Sequence, residues 1–232
     1  MNRAIIRFGG FCLAAGAVMF VMVFSYLAAR FNYPNVLDGP AATVLPDLLA
    51  TGSQGRFVWA LYALLPLIWL PAGVAAFEAL SPVRRGAMRL AMLFAVMAAL
   101  TMVLGLMRWP SIHWHLAQLQ ATATQEQQQV IAAVFDGLNT YLGNYIGEFL
   151  GELCFSLFFL LTSVVWLQAP GARAWIGWAG VATAVLGLTG MFRNVTGAVA
   201  PIAAVNNYLL PAFMIVLGVA LIRWSPPVRA EA

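Results

Sequence analysis

The sequence contains no lysine, only two cysteines and two histidines, and few charged residues of any kind. Charged residues form 9% of its 232 positions, whereas soluble domains carry roughly 25%. Without lysine, the chain cannot form the phosphate-binding loop of nucleotide hydrolases, and it also has no zinc-protease or serine-hydrolase motif. Cys12 and Cys154 are too few for a disulfide-stapled secreted domain. These absences exclude a soluble globular protein and leave no familiar hydrolase motif.

Apolar residues dominate instead, at 62% of the chain, and they gather in six long runs. A transmembrane helix needs roughly 20 such residues to cross the hydrocarbon layer. The runs predict spans at about 8–29, 57–80, 88–107, 145–167, 174–192 and 205–223, with longer outer connections at 31–56 and 108–140. We therefore predict an all-α polytopic membrane protein in which one six-helix domain covers residues 1–232 and the lipid bilayer is the main partner.

The basic residues are twelve arginines, and they fall unevenly on the two sides of the predicted spans. If the amino terminus is cytoplasmic, the four that face outward are Arg30, Arg56, Arg108 and Arg193, while eight, including Arg229, face inward. The positive-inside rule then places both termini in the cytoplasm of a bacterium, with the protein in its inner membrane. We expect the first run to be a retained span, because it exceeds the about 7–15 apolar residues of a signal peptide. The arginines form no run that would track a phosphate backbone, so we predict no nucleic-acid partner.

The connection before the fourth span carries a helix start. Thr124 and Gln127 have the spacing of a capping box, and apolar residues recur at helical intervals from there into the span. We therefore expect one unbroken helix, whose amphipathic first part within 116–139 covers the outer end of the bundle. Further along, Gly143, Gly147 and Gly151 form a ridge of small residues that lets another backbone approach closely. The spacing leaves open whether that backbone belongs to the same chain, to a second copy or to a larger complex.

Polar side chains gather at the predicted outer ends of the spans. Glu148 and Glu152 lie four residues apart on one stripe of the fourth helix, where two like charges either change their protonation or require a cationic partner. The candidate pocket consists of Asn144, Glu148, Glu152, Arg108, Arg193, Asn194, Asn206 and Asn207. Three interpretations stay open: ion pairs that tie helices together, a site for an ion or small solute, and catalysis.

His113 and His115 are the only histidines, and two tryptophans flank them. In an extended strand, side chains two residues apart point the same way and suit a metal ion, whereas on a helix they diverge. With Glu148 or Glu152 they would complete a mixed nitrogen and oxygen site. Tryptophans at the end of a span favour an interfacial belt instead. We predict no cofactor, expect bound lipid, and leave a metal ion at His113 and His115 as the alternative.

Two segments resemble a known family. Asn32-Tyr33-Pro34-Asn35-Val36-Leu37, followed by Val44-Leu45-Pro46, precedes the second span, and Asn207-Tyr208-Leu209-Leu210-Pro211 lies at the start of a last span that ends in Arg223. These segments are similar to those of bacterial multi-pass proteins grouped as domain-of-unknown-function family 4386. The resemblance covers most of the chain. It implies a small helical bundle in the inner membrane and brings no catalytic residues to carry over.

Three hypotheses about function follow. The leading one is a non-enzymatic structural or accessory subunit that packs through its glycine ridge, as a homo-oligomer or within a larger complex. The first alternative is a transporter or sensor in which Glu148, Glu152 and Arg193 bind an ion or a polar solute. The weaker alternative is a metal-dependent membrane enzyme that uses His113 and His115.

Overall fold

The computed structural model describes residues 2–224, and that part of the chain is helical with no strand. Its nine α-helices within this range are α1 (Arg3–Phe31), α2 (Ala41–Ala50), α3 (Gly52–Leu64), α4 (Trp69–Met107), α5 (Trp114–Gln120), α6 (Gln125–Leu138), α7 (Gly151–Gln168), α8 (Ala174–Gly190) and α9 (Ala200–Ile222). Arg229, which the orientation prediction places inward, lies outside the described residues.

Shorter helical turns join these helices. The chain forms 3₁₀ turns at Asn35–Asp38, Leu65–Ile68, Met191–Asn194 and Gly197–Val199, and wider π-type turns at Trp109–His113 and Asn139–Leu150. Because π-type turns continue the helix axis, Gln125–Gln168 is a single helical stretch. It begins with the predicted capping box, in which Thr124 and Gln127 bond each other reciprocally. The expected helix from this cap into the fourth span is therefore confirmed.

Five helical stretches among the described residues are long and apolar enough to cross a membrane. One of them, Gly52–Gln120, has 69 residues, far more than the roughly 20 that one crossing needs. It folds back at Arg84, whose φ of −145° and ψ of 87° are not helical. On either side of this turn, Gly73 and Ala95 lie against each other. The stretch thus supplies two crossing segments, and the all-α, six-span fold class is confirmed.

The outside of the bundle carries large apolar side chains. Phe8, Phe11 and Met22 are 61%, 62% and 65% exposed, respectively. A soluble monomer rarely exposes so much apolar surface to water, whereas contact between such a surface and lipid tails carries no free-energy penalty. The exposed faces are therefore those expected of a helical bundle in a bilayer.

Two apolar cores hold the bundle together. The larger lies between α1, α4, α7, α8 and α9. The second lies where α2, α5 and α6 pack together, which we term the cap end, and it is rich in aromatic rings. There, Trp59 and Trp109 stack with their ring centroids 4.8 Å apart, and Phe31 meets both edge-on. The connections 31–56 and 108–140 therefore contain packed helices rather than open loops.

Candidate functional site

A cavity of about 450 Å³ lies inside the bundle toward the cap end, bounded by α1, α4, α9 and the helix that leads into α7. Small-molecule sites have volumes of roughly 300–1,000 Å³. Its apolar lining includes Phe20, Phe24, Leu65, Trp69, Phe155 and Leu210, and its polar lining includes Tyr33, Tyr62, Arg108, Glu148, Glu152, Arg193, Asn194, Asn206 and Asn207. Of the predicted pocket residues, only Asn144 is not among those that line this cavity.

Irregular helix geometry surrounds the cavity. Pro66 lies in the 3₁₀ turn after α3, and Pro211 lies inside α9; both line the cavity. A proline removes a backbone donor and bends the helix around it, so neighbouring helices cannot close completely. The π-type turns at Asn139–Leu150 widen the helix that carries the carboxylates. These irregularities account for a cavity at this position in a bundle of apolar helices.

One part of the polar lining is an ion-pair network. Arg193 donates from Nη2 to Oε2 of Glu148 at 3.0 Å and from Nη1 to Oε1 of Glu152 at 2.6 Å. Asn194 donates from Nδ2 to Oε2 of Glu148 and to the backbone oxygen of Asn144, both at 2.9 Å. The network joins the fourth span to the turn after the fifth, and the Glu148 and Glu152 side chains remain 22% and 14% exposed. The structure therefore gives both carboxylates a cationic partner at Arg193.

The network leaves acceptor oxygens free. Within residues 2–224, the hydrogen bonds to Glu148 all end on Oε2, and the one to Glu152 ends on Oε1. An ionised carboxylate has about four lone-pair sites on its two oxygens. Oε1 of Glu148 and Oε2 of Glu152 are thus available to water or to a ligand. Among the asparagines, Asn206 is buried with Oδ1 unbonded and Asn207 is exposed.

Arg108 is not part of this network, contrary to its role as a candidate partner of the carboxylates. The residue is 4% exposed, and no carboxylate of the described residues lies within ion-pair distance of it. Nε donates to Oδ1 of Asn139 at 3.1 Å, and Nη1 donates to the backbone oxygen of Gly105 at 2.5 Å. The guanidinium also lies 5.1 Å from the ring centroid of Trp109. Arg108 is therefore a buried cation held by neutral groups beside the cavity.

The glycine ridge packs inside the chain. A Cβ atom added at Gly143 would overlap the Arg108 guanidinium, and one added at Gly147 would lie 2.9 Å from Cα of Gly105. At Gly151 an added Cβ would lie 2.9 Å from Cγ of Met102. The three glycines thus leave room for the second half of α4 and for Arg108, which follows it directly. The ridge is occupied by the same chain, so it offers no surface to the partner that the leading sequence hypothesis placed there.

His113 and His115 are separated by the helix that carries them. His113 is fully buried between Trp109 and Phe135, and neither of its ring nitrogens has a hydrogen-bond partner among the described residues. His115 is exposed. The part of the chain that the structure describes holds no group of three histidine, cysteine or acidic side chains suited to a metal ion. The two histidines therefore do not form a shared site here.

Sequence reasoning missed the segment that borders the cavity at the cap end. Tyr33, Pro34, Asn35 and Leu37 line the cavity, whereas no described residue of the expected cover, 116–139, does so. That segment packs on α2 instead. The Tyr33 hydroxyl lies 3.4 Å from that of Tyr62, and burial raises the pKa of Tyr33, so the hydroxyl keeps its proton at neutral pH. The available signal was the family resemblance, because residues from both of its segments, 32–37 and 207–211, line the cavity.

One of three comparisons with known proteins gave a match. Neither the curated proteins nor the solved structures gave a match. A family model described as "Domain of unknown function (DUF4386)" matches residues 8–224, which include all six crossing segments and the whole cavity lining. The chain therefore belongs to the DUF4386 family.

Proposed function

We propose that this chain binds a small amphiphilic solute in its central cavity and acts as a transporter or sensor in a bacterial inner membrane. One observation carries the proposal: a cavity of about 450 Å³ combines aromatic and aliphatic lining with charged side chains that are partly exposed. Ligand sites in proteins have this composition, with mostly apolar walls and a few placed polar groups. The ion-pair network supplies the polar groups, and residues such as Phe20 and Trp69 supply the walls.

The scaffold hypothesis has less support than the solute-binding hypothesis. It depended on the glycine ridge, which packs on α4 of the same chain. The metal-enzyme hypothesis depended on His113 and His115, of which one is buried and the other exposed. Homo-oligomers, partner subunits and bound lipid stay predictions that other surfaces of the bundle would have to satisfy.

Filling the cavity tests the proposed function. Ala204 and Ala212 are both exposed positions of α9, but only Ala204 belongs to the cavity lining. A dodecyl alcohol carrying a diazirine, photoactivated in liposomes, should crosslink to cavity residues such as Phe20 and Trp69. We expect Ala204→Trp to reduce these crosslinks to background, because the indole takes the space, and Ala212→Trp to leave them unchanged. Mass spectrometry of the labelled peptides is the measurement. Crosslinks confined to outward-facing residues such as Phe8 would refute solute binding in the cavity.

The proposed orientation has its own test. In a chain with Cys12 and Cys154 replaced by alanine, Gln118→Cys places a thiol on an exposed position of the cap end. Ala174→Cys, the matched variant, places one at the exposed start of α8. If both termini are cytoplasmic, a membrane-impermeant maleimide added to intact cells labels Gln118→Cys, and it labels Ala174→Cys only after permeabilisation. The reverse pattern would invert the orientation.

A further inference from the structure

Building on this proposed function, we propose that the cavity binds a zwitterionic amphiphile. Its phosphate or carboxylate pairs with Arg108, its ammonium pairs with Glu148 and Glu152, and its hydrocarbon chain lies along the apolar lining. The shared chemistry is a head group with one anionic and one cationic centre a few bonds apart. Such a head belongs both to phospholipids of the bilayer and to small soluble zwitterions.

Arg108 supplies the anion-binding end. A buried guanidinium with no carboxylate in contact is costly, and proteins rarely keep one unless it serves a purpose. Several residues of the chain hold it in place. Asn139 and Gly105 each accept a hydrogen bond from it, Trp109 lies beside it, and Gly143 leaves space for it. Its Nη2 donates to no residue in 2–224, although Arg108 lines the cavity. The planar donor fork of arginine suits phosphate and carboxylate oxygens.

The carboxylates supply the cation-binding end. Arg193 uses one oxygen of Glu148 and one of Glu152, and the second oxygen of each accepts no bond from residues 2–224. Both side chains line the cavity and are partly exposed. An ammonium group has three donors and no acceptor, so it can bond both free oxygens at once.

The charge balance of the cavity favours a zwitterion over a simple ion. Two arginines and two glutamates line it, so their formal charges cancel. An anion alone on Arg108 would leave one unbalanced negative charge in apolar surroundings, and a cation alone would leave one positive charge. A zwitterion adds no net charge. It also fits the placement of the two charged groups, because Arg108 packs on Gly143 and Glu148 follows five residues later, about one π-type turn along the same helix.

Competition against the diazirine alcohol tests this inference. Four competitors are compared on the full-length chain: lysophosphatidylethanolamine, lysophosphatidic acid and monoacylglycerol, all with the same acyl chain, and glycerophosphoethanolamine, which has the same zwitterionic head and no acyl chain. We expect the zwitterionic lysolipid to displace the probe at a concentration at least about tenfold lower than either chain-matched competitor, since tenfold in affinity corresponds to only one good ionic contact. Displacement by glycerophosphoethanolamine, which has no acyl chain, would identify a soluble zwitterion as the source, and displacement only by the lysolipid would identify a membrane lipid.

Variants test whether Arg108 binds the head group. Arg108→Gln should remove the advantage of the zwitterionic lysolipid over monoacylglycerol. The matched control is Arg56→Gln, because Arg56 lies at the cap end, donates to the Pro110 oxygen and is not part of the cavity lining. It should keep the full advantage. The comparison of competitors on the unmodified chain stands even if Arg108→Gln fails to fold.

The outcomes separate this inference from the proposed function. Equal displacement by monoacylglycerol and the zwitterionic lysolipid, or stronger displacement by lysophosphatidic acid, would overturn the zwitterion and leave solute binding intact. Loss of the advantage in Arg56→Gln as well as in Arg108→Gln would overturn the role of Arg108. If the alcohol probe itself never labels the cavity, the proposed function fails first.

Discussion

Replacing Gly147 with alanine is expected to lower the free energy of unfolding by about 3 kcal/mol, at the upper end of the cost of overpacking a core. The added Cβ would lie 2.9 Å from Cα of Gly105 and 3.2 Å from the backbone oxygen of Leu142. Both are backbone atoms, the first on α4 and the second one π-type turn earlier on the helix of Gly147 itself, so no side-chain rotation relieves them. The two helices would have to separate, and the cavity beside them would lose its shape. Thermal or denaturant unfolding of the purified chain in mild detergent measures the effect.

Gly137→Ala is the matched control for this prediction. Gly137 lies on the same helical stretch, and a Cβ added there meets no atom within 4 Å. Alanine should therefore stabilise this exposed helical position by roughly 0.5–1 kcal/mol, through its lower backbone entropy. Equal effects at the two positions would contradict intramolecular packing of the ridge. So would a Gly147→Ala chain that unfolds normally but changes its oligomeric state, which is the result that the scaffold hypothesis predicts.

The fold followed from the sequence because its main causes act locally. Apolar runs long enough to cross a bilayer predict crossing helices whatever their neighbours are. The turn at Arg84 adjoins Pro82 and a pair of arginines, and the start of α6 is fixed by the capping box of Thr124 and Gln127. Each of these signals lies within a few residues of the feature that it determines. The packed helices of the cap end were less visible, since α2 and α5 have only 10 and 7 residues.

The sequence predicted which residues form the site better than it predicted which of them form ion pairs. The gathering of Glu148, Glu152 and Arg193 followed from their shared depth in the spans, and the structure places them in contact. Which arginine pairs with the carboxylates depends on how the helices rotate about their axes. The π-type turns at Asn139–Leu150 alter that rotation, because a wider turn shifts every later side chain around the helix. Regular 3.6-residue spacing therefore could not separate Arg108 from Arg193.

The residues that form the cavity wall at the cap end could not be predicted from local sequence patterns. Tyr33 and Leu37 belong to a short connection whose sequence indicates only turns. Asn139 links this connection to the bundle by donating to the Leu37 oxygen at 2.7 Å, across 102 residues of sequence. The sequence of either segment alone gives no signal of a contact with a segment so far away. The same applies to Arg108, whose isolation from carboxylates becomes visible only when all neighbouring helices are in place.

The second large effect is expected at Arg193. Replacing it with glutamine leaves Glu148 and Glu152 close together, where they lose their shared cation and repel each other. Breaking a buried ion pair costs about 3–5 kcal/mol, and the partial exposure of this network places the expected loss nearer about 2–3 kcal/mol. The contact between the fourth and fifth spans should weaken first. Unfolding in mild detergent measures the loss, and Arg173→Gln, an exposed arginine at the start of α8, should change stability by less than about 0.5 kcal/mol.

A triple variant shows whether the lost stability comes from uncompensated charge. With Arg193, Glu148 and Glu152 all replaced by glutamine, no charge of the network remains, and amide side chains of similar size can bond one another. We expect this chain to recover most of the stability that Arg193→Gln alone loses, because removing both partners costs less than stranding one. If the triple variant is the least stable of the series, the network stabilises the bundle through its own attraction. If it recovers stability and still crosslinks the alcohol probe, the network is dispensable both for the fold and for binding the apolar part of a solute.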